Sequence, residues 1–330
     1  VAAKLSARNQ IIDDQNVFDA DKGLKLLKSA VIYGANASGK SNLIKAMATL
    51  RNIVLGSASE ARASAPVPVE SFKLNTETER QPSEFEITFL CDGRRFRYGF
   101  VSDREKIHNE WLYHVPNKRE ARLFERENQE FVISDKFREG RGLEGKTREN
   151  ALFLSVVSQF NGSVSRSIIE WFEKLGISEG INDWTFQSFT IERMKDEKWR
   201  LRILDFIKSI DVGITNINVD KKDNVKDLDL PENMPSELKT ILENNLLHSI
   251  QTVHKKFDDS GEAVSEESFD ILRNESAGTQ KAVFLAGPLF EALKSAKVLV
   301  IDELDARLHP MITESILGLF NSKQTNPNNA

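Results

Sequence analysis

The residues with the clearest chemical potential form a segment bracketed by glycines, V-I-Y-G-A-N-A-S-G-K-S between residues 31 and 41. The phosphate-loop pattern G-x-x-x-x-G-K-[ST] is filled by Gly34, Gly39, Lys40 and Ser41. Glycines let the backbone turn its N–H groups toward a phosphate, the lysine reaches the β- and γ-oxygens, and the hydroxyl is a ligand for Mg²⁺. The residues predicted to bind a nucleotide are Gly34, Asn36, Ala37, Ser38, Gly39, Lys40, Ser41 and Asn42.

The sequence on both sides of this loop supports the same interpretation. Residues 30–33 are predicted to end a buried strand, and residues 41–55 are predicted to form a helix whose positive N-terminal end meets the phosphates. The predicted buried face of this helix consists of Leu43, Ile44, Met47, Leu50 and Val54. A glycine-rich turn that binds nothing is the alternative, and the flanking strand and helix disfavour it.

A second segment, K-V-L-V-I-D-E-L-D, ends in adjacent carboxylates at Asp302 and Glu303. The aliphatic run of residues 298–301 suits a central parallel strand that is covered on both faces. Carboxylates at the carboxyl end of such a strand lie where ligands bind in open α/β sheets. Asp302 is then the expected partner of Mg²⁺, and Glu303 is placed to polarise the water that attacks a γ-phosphate. The alternative is a strand followed by a solvated acidic turn.

A third segment, N-E-S-A-G-T-Q-K at residues 274–281, precedes the helix that leads into the acidic strand. Ser276 and Gly278 could present a hydroxyl and exposed N–H groups to an anion at a helix start. A simple helix N-cap is the alternative reading of the same residues. The spacing favours a functional role, because Asp302 follows Ser276 by 302 − 276 = 26 residues, enough for one helix and a return to the sheet.

These three segments, in this order, resemble an ATPase of the ABC type. Within that class, E-S-A-G-T-Q-K and D-E-L-D-A-R-L-H-P resemble the group of the RecF, SMC and OLD (overcoming lysogenization defect) ATPases. The closest resemblance is to stand-alone bacterial AAA-15 or AAA-21 type proteins, many of which belong to anti-phage systems beside a nuclease. The resemblance extends from about Leu5 to the end of the chain.

The resemblance implies that two nucleotide-binding domains meet head to tail. Ser276 and Gly278 of one chain would then close over the γ-phosphate held by the other, and Asp305 would lie in the loop that crosses the dimer interface. Gln159 would be the glutamine-loop residue that senses Mg²⁺ and the attacking water. The alternative stays open that a glutamine at the end of an apolar strand is polar only because it lies at the protein surface.

The sequence departs from the family pattern in three respects. Ala277 and Thr279 stand where transporters have glycine and glutamine, which argues against a transport subunit. The switch histidine expected after the next strand is missing, and His309 with the following proline resembles a structural element. Since Val1 is not a natural start and the first strand normally precedes Leu5, we expect the sequence to be incomplete at both ends.

Composition fits an ordinary globular protein of 330 residues with 40% hydrophobic and 29% charged residues. A single cysteine, Cys91, permits no internal disulfide, which favours a reducing cytoplasm. The net charge of −5 provides no global attraction to nucleic acid. No stretch has the length and purity of a transmembrane helix, so no membrane partner is expected.

Alternating and helical patterns predict two lobes. Strands are predicted at residues 85–91, 95–101, 110–115 and 122–127, the first two joined by the tight-turn sequence Asp92-Gly93. Amphipathic helices are predicted at residues 163–175, 199–210 and 236–250. The predicted organisation is a nucleotide-binding lobe at 1–160, an inserted helical lobe at 161–265 and the return of the first lobe at 266–330.

The predicted fold class is α/β, a P-loop NTPase of the ABC type with a mixed sheet, an antiparallel β layer and an inserted, mainly helical lobe. The predicted activity is Mg²⁺-dependent ATP hydrolysis at a composite interface of a homodimer or higher homo-oligomer. The assigned residues are Glu303, Lys40 and Ser276 (in trans) for catalysis, and Ser41, Asp302 and Gln159 for the metal.

The predicted role is a sensor, scaffold or switch in anti-phage defence that controls a partner nuclease or toxin, with nucleic acid as a further candidate partner. A RecF-like DNA-repair clamp is the alternative, and a transporter motor subunit is the weaker one. No nuclease site is predicted in the chain itself, because the acidic pairs Asp258-Asp259 and Glu266-Glu267 are interpreted as solvated loops.

Overall fold

A computed structural model describes residues 15–21, 24–59, 64–115, 119–178, 184–210, 213–221 and 248–330. These residues form two compact units. The phosphate-loop unit is Tyr33–Ile177, and the acidic-turn unit combines Val1–Ile32 with Ser178–Ala330. The units divide the chain at Ile32 and Ile177, whereas the predicted lobes divide it at residues 160 and 265. Among the described residues, no helix is long and apolar enough to cross a membrane.

The first elements in the described part of the chain are an antiparallel strand pair and a long helix. Strands β1 (Val17–Asp21) and β2 (Leu24–Leu27) pair with each other, and helix α1 is Lys40–Gly56. The predicted helix of residues 41–55 is therefore confirmed. Its buried face is Leu50, Ile53 and Val54, whereas Leu43 is exposed. The predicted apolar face is buried only in the second half of α1, so the first half stays open to solvent.

A five-stranded antiparallel sheet forms the core of the phosphate-loop unit, with its strands in chain order. Its strands are β3 (Ser83–Cys91), β4 (Arg94–Ser102), β5 (Ile107–His114), β6 (Ala121–Glu127) and β7 (Glu130–Ile133). The hairpin at Asp92-Gly93 is confirmed: both residues have positive φ (50° and 68°), as a two-residue turn of this type requires. The predicted strands β5 and β6 are confirmed as well, while β7 was not predicted.

A buried carboxylate connects this sheet to helix α2 (Phe153–Gln159). The Glu110 side chain accepts hydrogen bonds from the backbone N–H groups of Phe153 (2.6 Å) and Leu154 (3.0 Å) and from the Tyr98 hydroxyl (3.0 Å). The fully buried Arg126 lies 3.7 Å from the same carboxylate and donates to the Ala151 carbonyl. Glu110 thus satisfies the free donors at the start of α2, where negative charge is favourable.

Helix α3 (Ser163–Lys174) covers one face of the sheet, which confirms the predicted amphipathic helix. Phe172 is fully buried, and the rings of Trp171 and Phe89 pack 4.3 Å apart. The Cys91 thiol lies under this helix and donates a hydrogen bond to the Ser167 carbonyl. Burial, assisted by the negative charge of Asp92, raises the pKa of the Cys91 thiol to about 11.

The acidic-turn unit is built around a long buried helix. Besides β1 and β2, the elements described in it are β8 (Gly176–Ser178), in which the chain enters the unit, α4 (Trp184–Met194), α5 (Glu197–Ser209), β9 (Ile214–Lys221), β10 (His248–Phe257), β11 (Ala263–Asp270), α6 (Ile271–Asn274), α7 (Ala277–Ser295), β12 (Leu299–Ile301) and α8 (Pro310–Asn321). Helix α7 packs against α4 and α5, and Ala282, Ala286 and Leu289 are in its buried core. The predicted helix of residues 199–210 is confirmed by α5.

Besides its helices, the predicted inserted lobe contains strands that were not predicted, because β9, β10 and β11 form a three-stranded antiparallel sheet in the order β11-β10-β9. Strand β11 lacks the usual alternation of buried and exposed residues, because residues 263–268 are all exposed. The helix predicted at residues 236–250 lies mostly outside the described residues, and its last three residues begin β10. Glu266 and Glu267 also lie on β11 rather than in a loop.

We predict that Glu110→Ala lowers the free energy of unfolding by about 3–5 kcal/mol, because it leaves Arg126 buried without its opposite charge and two helix N–H groups without their acceptor. Urea denaturation followed by circular dichroism measures the change. Glu130→Ala is the matched control, because this glutamate is exposed on β7 and its loss should change stability by less than about 0.5 kcal/mol. Equal losses in the two variants would contradict the role of the buried carboxylate.

Candidate functional site

The phosphate loop is an exposed turn that leads directly into α1. Ala37 and Gly39 both have positive φ (62° and 93°), and the Ser38 N–H closes the turn on the Ala35 carbonyl. Successive left- and right-handed residues make a concave surface of N–H groups that suits an anion. The N–H groups in the first turn of α1 have no partner within the helix, so they add to the same positive end. Asn36, Ser41 and Asn42 are also exposed here, as an incoming ligand requires.

The Lys40 ammonium lies against the loop itself. Its Nζ atom donates to the carbonyls of Gly34 (2.7 Å) and Ala35 (2.9 Å). Both acceptors are neutral, whereas a phosphate oxygen is charged and forms roughly twice as strong a hydrogen bond with an ammonium. Lys40 is therefore held at the loop by contacts that a nucleotide can replace.

The strand predicted before the loop is wrong. Residues 29–35 belong to no strand, and Val31, Ile32 and Tyr33 are exposed to 55%, 60% and 86%. The chain passes from one unit to the other at Ile32–Tyr33. No described strand pairs with these residues, so their apolar side chains do not pack in a sheet. The sequence pattern alone does not reveal that strand pairing is missing here.

The structure also contradicts the glutamine-loop assignment of Gln159. This residue ends α2, and its Nε2 atom donates to the carbonyl of Ala58, just beyond the C-terminal end of α1. Ser41 lies at the opposite end of α1, a helix of 17 residues. Such a helix is roughly 25 Å long at 1.5 Å per residue. Gln159 is therefore far from the phosphate loop, and its assigned role in metal binding and water sensing is corrected.

The acidic segment forms a compact turn after a strand that is shorter and less buried than predicted. Strand β12 has three residues, shares a two-stranded sheet with β8, and follows Val298, which is 48% exposed. The expected central strand covered on both faces is thus wrong within the described part of the chain. The Asp302 N–H donates to the Ser178 carbonyl (3.0 Å), and the Asp302 Oδ1 atom accepts from the Glu303 N–H (3.0 Å).

The turn itself has an unusual backbone. Glu303 and Arg307 adopt positive φ (48° and 66°), a conformation that costs residues other than glycine about 1–2 kcal/mol. The Glu303 and Asp305 side chains are exposed, so both carboxylates are accessible to a ligand or to another chain. Such backbone conformations persist where the surrounding structure enforces them.

Ser276 is the N-cap of α7. Its Oγ atom accepts a hydrogen bond from the Thr279 N–H (3.1 Å), and its φ and ψ of −61° and 152° are typical of a cap. Gly278 lies directly against the acidic turn, because a β-carbon at this position would be 2.6 Å from the Arg307 carbonyl oxygen. Ser276, Gly278, Asp302, Glu303 and Asp305 are therefore carried by one compact assembly.

Lys281 joins the two parts of this assembly, a contact that the sequence analysis missed. Its Nζ atom donates to the carbonyls of Glu303 (2.6 Å) and Ala306 (2.8 Å). Burial lowers the pKa of the Lys281 ammonium, and the carboxylates of Asp305 and Glu303 oppose that shift. The signal in the sequence that could have indicated this contact is the basic residue five positions after Ser276.

A second missed contact lies before the serine. The Glu275 Oε1 atom accepts hydrogen bonds from the Thr252 hydroxyl (2.5 Å) and faces the His254 Nε2 atom at 2.7 Å. Both partners lie on β10, far away in the sequence, so only the tertiary structure reveals them. This contact connects the three-stranded sheet to the residue next to Ser276.

His309 has a structural role, as the sequence predicts. Its Nδ1 atom accepts from the Met311 N–H (3.3 Å), and Pro310 begins α8, which makes His309 an N-cap. Among the residues that the structure describes, no group of three or more histidine, cysteine, aspartate or glutamate side chains could hold a metal ion.

The donors available for Mg²⁺ are oxygen atoms, as this hard cation prefers. The Ser41 hydroxyl is exposed in the phosphate-loop unit, and the half-buried Asp302 carboxylate has one oxygen engaged by the Glu303 N–H. The residue types thus fit Mg²⁺. One unit carries the residues predicted to bind phosphate, and the other carries the acidic and serine residues.

One protein-family model matches residues 29–330, and its description is "AAA domain, putative AbiEii toxin, Type IV TA system". The match covers the phosphate loop, the serine segment and the acidic turn together. No curated protein and no solved structure matches the chain significantly.

The contact at Gly278 predicts a reversal of the usual effect of alanine in helices. Alanine normally stabilises a helix by up to about 1 kcal/mol relative to glycine, and Gly318→Ala in α8, with open space around it, should follow that rule. Gly278→Ala should instead destabilise by about 1–3 kcal/mol, because its β-carbon meets backbone. Urea midpoints of both variants test the opposite signs, and stabilisation by both would contradict the close contact.

Proposed function

This chain belongs to the AAA_21 family of AAA domains, and we propose that it binds and hydrolyses ATP with Mg²⁺ as an ABC-type P-loop ATPase. The observation that carries the proposal is the loop of Gly34–Ser41, which opens into the start of α1 with the Lys40 ammonium held at its carbonyls. Backbone donors, a helix end and a lysine ammonium converge there, and all three favour a polyphosphate.

Each of these residues has its own role in the proposed ATP hydrolysis. Lys40 and the first N–H groups of α1 bind the phosphates, and Ser41 and Asp302 supply oxygen ligands for Mg²⁺. The metal, when bound, neutralises charge on the phosphates. Glu303 orients the attacking water and accepts its proton, for which an exposed carboxylate is suited. Since phosphoryl transfer depends mainly on positioning and charge stabilisation, these few groups suffice.

We place Ser276 and Gly278 over the γ-phosphate of a partner chain in a head-to-tail homodimer, with Asp305 at the interface. The N-cap conformation of Ser276 supports this, because it directs the first N–H groups of α7 and a hydroxyl toward the same region. ATP then binds two chains together, and hydrolysis releases them. Higher oligomers built from the same contact are part of this proposal.

The cellular role that we propose is a nucleotide-driven switch in abortive infection, which controls a toxin or nuclease partner. The support is the family description, which names a toxin and a toxin–antitoxin system. A dimer that closes on ATP and opens after hydrolysis has two states, and an effector that prefers one of them is regulated by the nucleotide.

Two variants separate binding from turnover. Lys40→Ala should weaken ATP binding by about 10- to 100-fold, because Lys40 contacts ground-state phosphates. Glu303→Gln should keep the affinity and lower kcat by about 10²- to 10⁴-fold, because the carboxylate acts on the attacking water. Fluorescent-nucleotide titration and phosphate release measure both quantities. Wild-type hydrolysis by Glu303→Gln would remove this residue from the mechanism.

A mixture of variants tests the composite site. Lys40→Ala and Ser276→Arg chains should each be inactive alone, whereas an equal mixture should regain about a quarter of wild-type ATPase activity, since half of the dimers carry one complete site out of two. Native mass spectrometry verifies that the chains exchange. Circular dichroism verifies the fold of Ser276→Arg, which loses a helix cap. A mixed dimer without activity would argue against a serine that acts in trans.

A further inference from the structure

We propose that Glu275 is a positioning residue, through which the three-stranded sheet β9–β10–β11 fixes Ser276 for its contact with ATP. This inference rests on the proposed function, because it assigns the control of the same site. Glu275 has no place in the chemistry itself. Its side chain points away from Ser276, to Thr252 and His254 on β10.

The contact is buried and short. The Thr252 side chain is fully buried, and the side chains of Glu275 and His254 are exposed to only 11% and 24%. One carboxylate oxygen of Glu275 is shared by Thr252 Oγ1 at 2.5 Å and His254 Nε2 at 2.7 Å. The His254 ring also packs edge-on against Phe269 of β11, which limits its freedom to turn away. Hydrogen bonds to a carboxylate are about twice as strong as neutral ones, so this contact holds the residue firmly.

The backbone of Glu275 is held as well. Its carbonyl accepts from the Gln280 side chain (2.9 Å), and its N–H donates to the carbonyl of Ile271, the first residue of α6. Residue 275 is therefore fixed on both sides, and Ser276 begins α7 immediately after it. A shift of β10 must move the carboxylate, and with it the serine.

The sheet has the form needed to transmit such a shift. Along β10, burial falls from the fully buried Thr252 to Phe257, the last residue of the strand, which is 58% exposed. The turn at residues 258–261 and most of β11 are exposed, so the outer end of the hairpin is accessible while its inner end holds Glu275. An element of this kind connects an exposed surface to the serine without touching the nucleotide.

The first test separates positioning from folding. Glu275→Ala should lower kcat for ATP at least tenfold, while the Kd of a fluorescent ATP analogue changes less than twofold, because the phosphate loop is untouched. Glu275→Gln keeps an acceptor oxygen for Thr252 and should retain at least a third of kcat. Glu267→Ala is the matched control, because Glu267 lies opposite His254 in the β10–β11 ladder and is exposed. It should behave as wild type.

The second test asks which half of the composite site is damaged. Glu275→Ala mixed with Lys40→Ala should recover activity, because the Lys40→Ala chain supplies an intact serine. Glu275→Ala mixed with Ser276→Arg should not recover, because both lesions lie in the same half. A general loss of structure would give no such pattern. If Glu275→Ala proves unstable, Thr252→Val removes one donor with little change of shape and should show the same pairing with a smaller loss of kcat.

The outcomes separate the two proposals. If the reference mixture of Lys40→Ala and Ser276→Arg recovers but Glu275→Ala with Lys40→Ala does not, the positioning role fails and the composite site stands. Wild-type kcat in Glu275→Ala, or an equally low kcat in Glu275→Gln and Glu275→Ala, would also overturn it. If the reference mixture itself fails, the serine does not act in trans, and the inference falls together with the proposed composite site.

Discussion

The close approach of Gly278 to the Arg307 carbonyl is the constraint on which the acidic-turn unit depends. No β-carbon fits there, so the first turn of α7 and the acidic turn share one backbone surface. That surface explains the positive φ of Glu303 and Arg307, because the turn must fold back onto the helix start. Lys281 then binds two carbonyls of the turn and replaces the hydrogen bonds that such a bend leaves unmade. The carboxylate of Glu303 and the hydroxyl of Ser276 are held by one rigid piece as a result.

The sequence predicted those features that depend on neighbouring residues. Asp92-Gly93 identifies its hairpin because the turn needs positive φ at two positions, and few residue pairs adopt it. The helix after Lys40 follows from a local signal of the same kind. The residues that define the phosphate loop are also close together in the sequence, so a pattern typical of nucleotide-binding loops can be identified without any knowledge of the fold.

What the sequence did not reveal depends on contacts between distant segments. Gln159 ends an apolar run, as a glutamine-loop residue would, but the position of α2 beside the far end of α1 is set by Glu110 and the sheet. Strands β9 and β10 pair although residues 222–247 lie between them in the sequence, and β11 lacks the alternation that marks a half-buried strand because residues 263–268 are all exposed. In the sequence Glu275 is simply the residue before Ser276. The partners of its carboxylate lie on β10, which only the tertiary structure reveals.

Cys91, the sole cysteine of the chain, is a natural probe for local opening of the phosphate-loop unit. The thiol is buried under α3, and its pKa of about 11 leaves almost no thiolate near neutral pH. A disulfide reagent therefore reacts with it only when α3 lifts from the sheet, and the modification rate measures the free energy of that opening. Because α3 also packs against α1, the helix that follows the phosphate loop, the modification rate also depends on how firmly α1 is held. This rate is measured in the native protein without an attached dye.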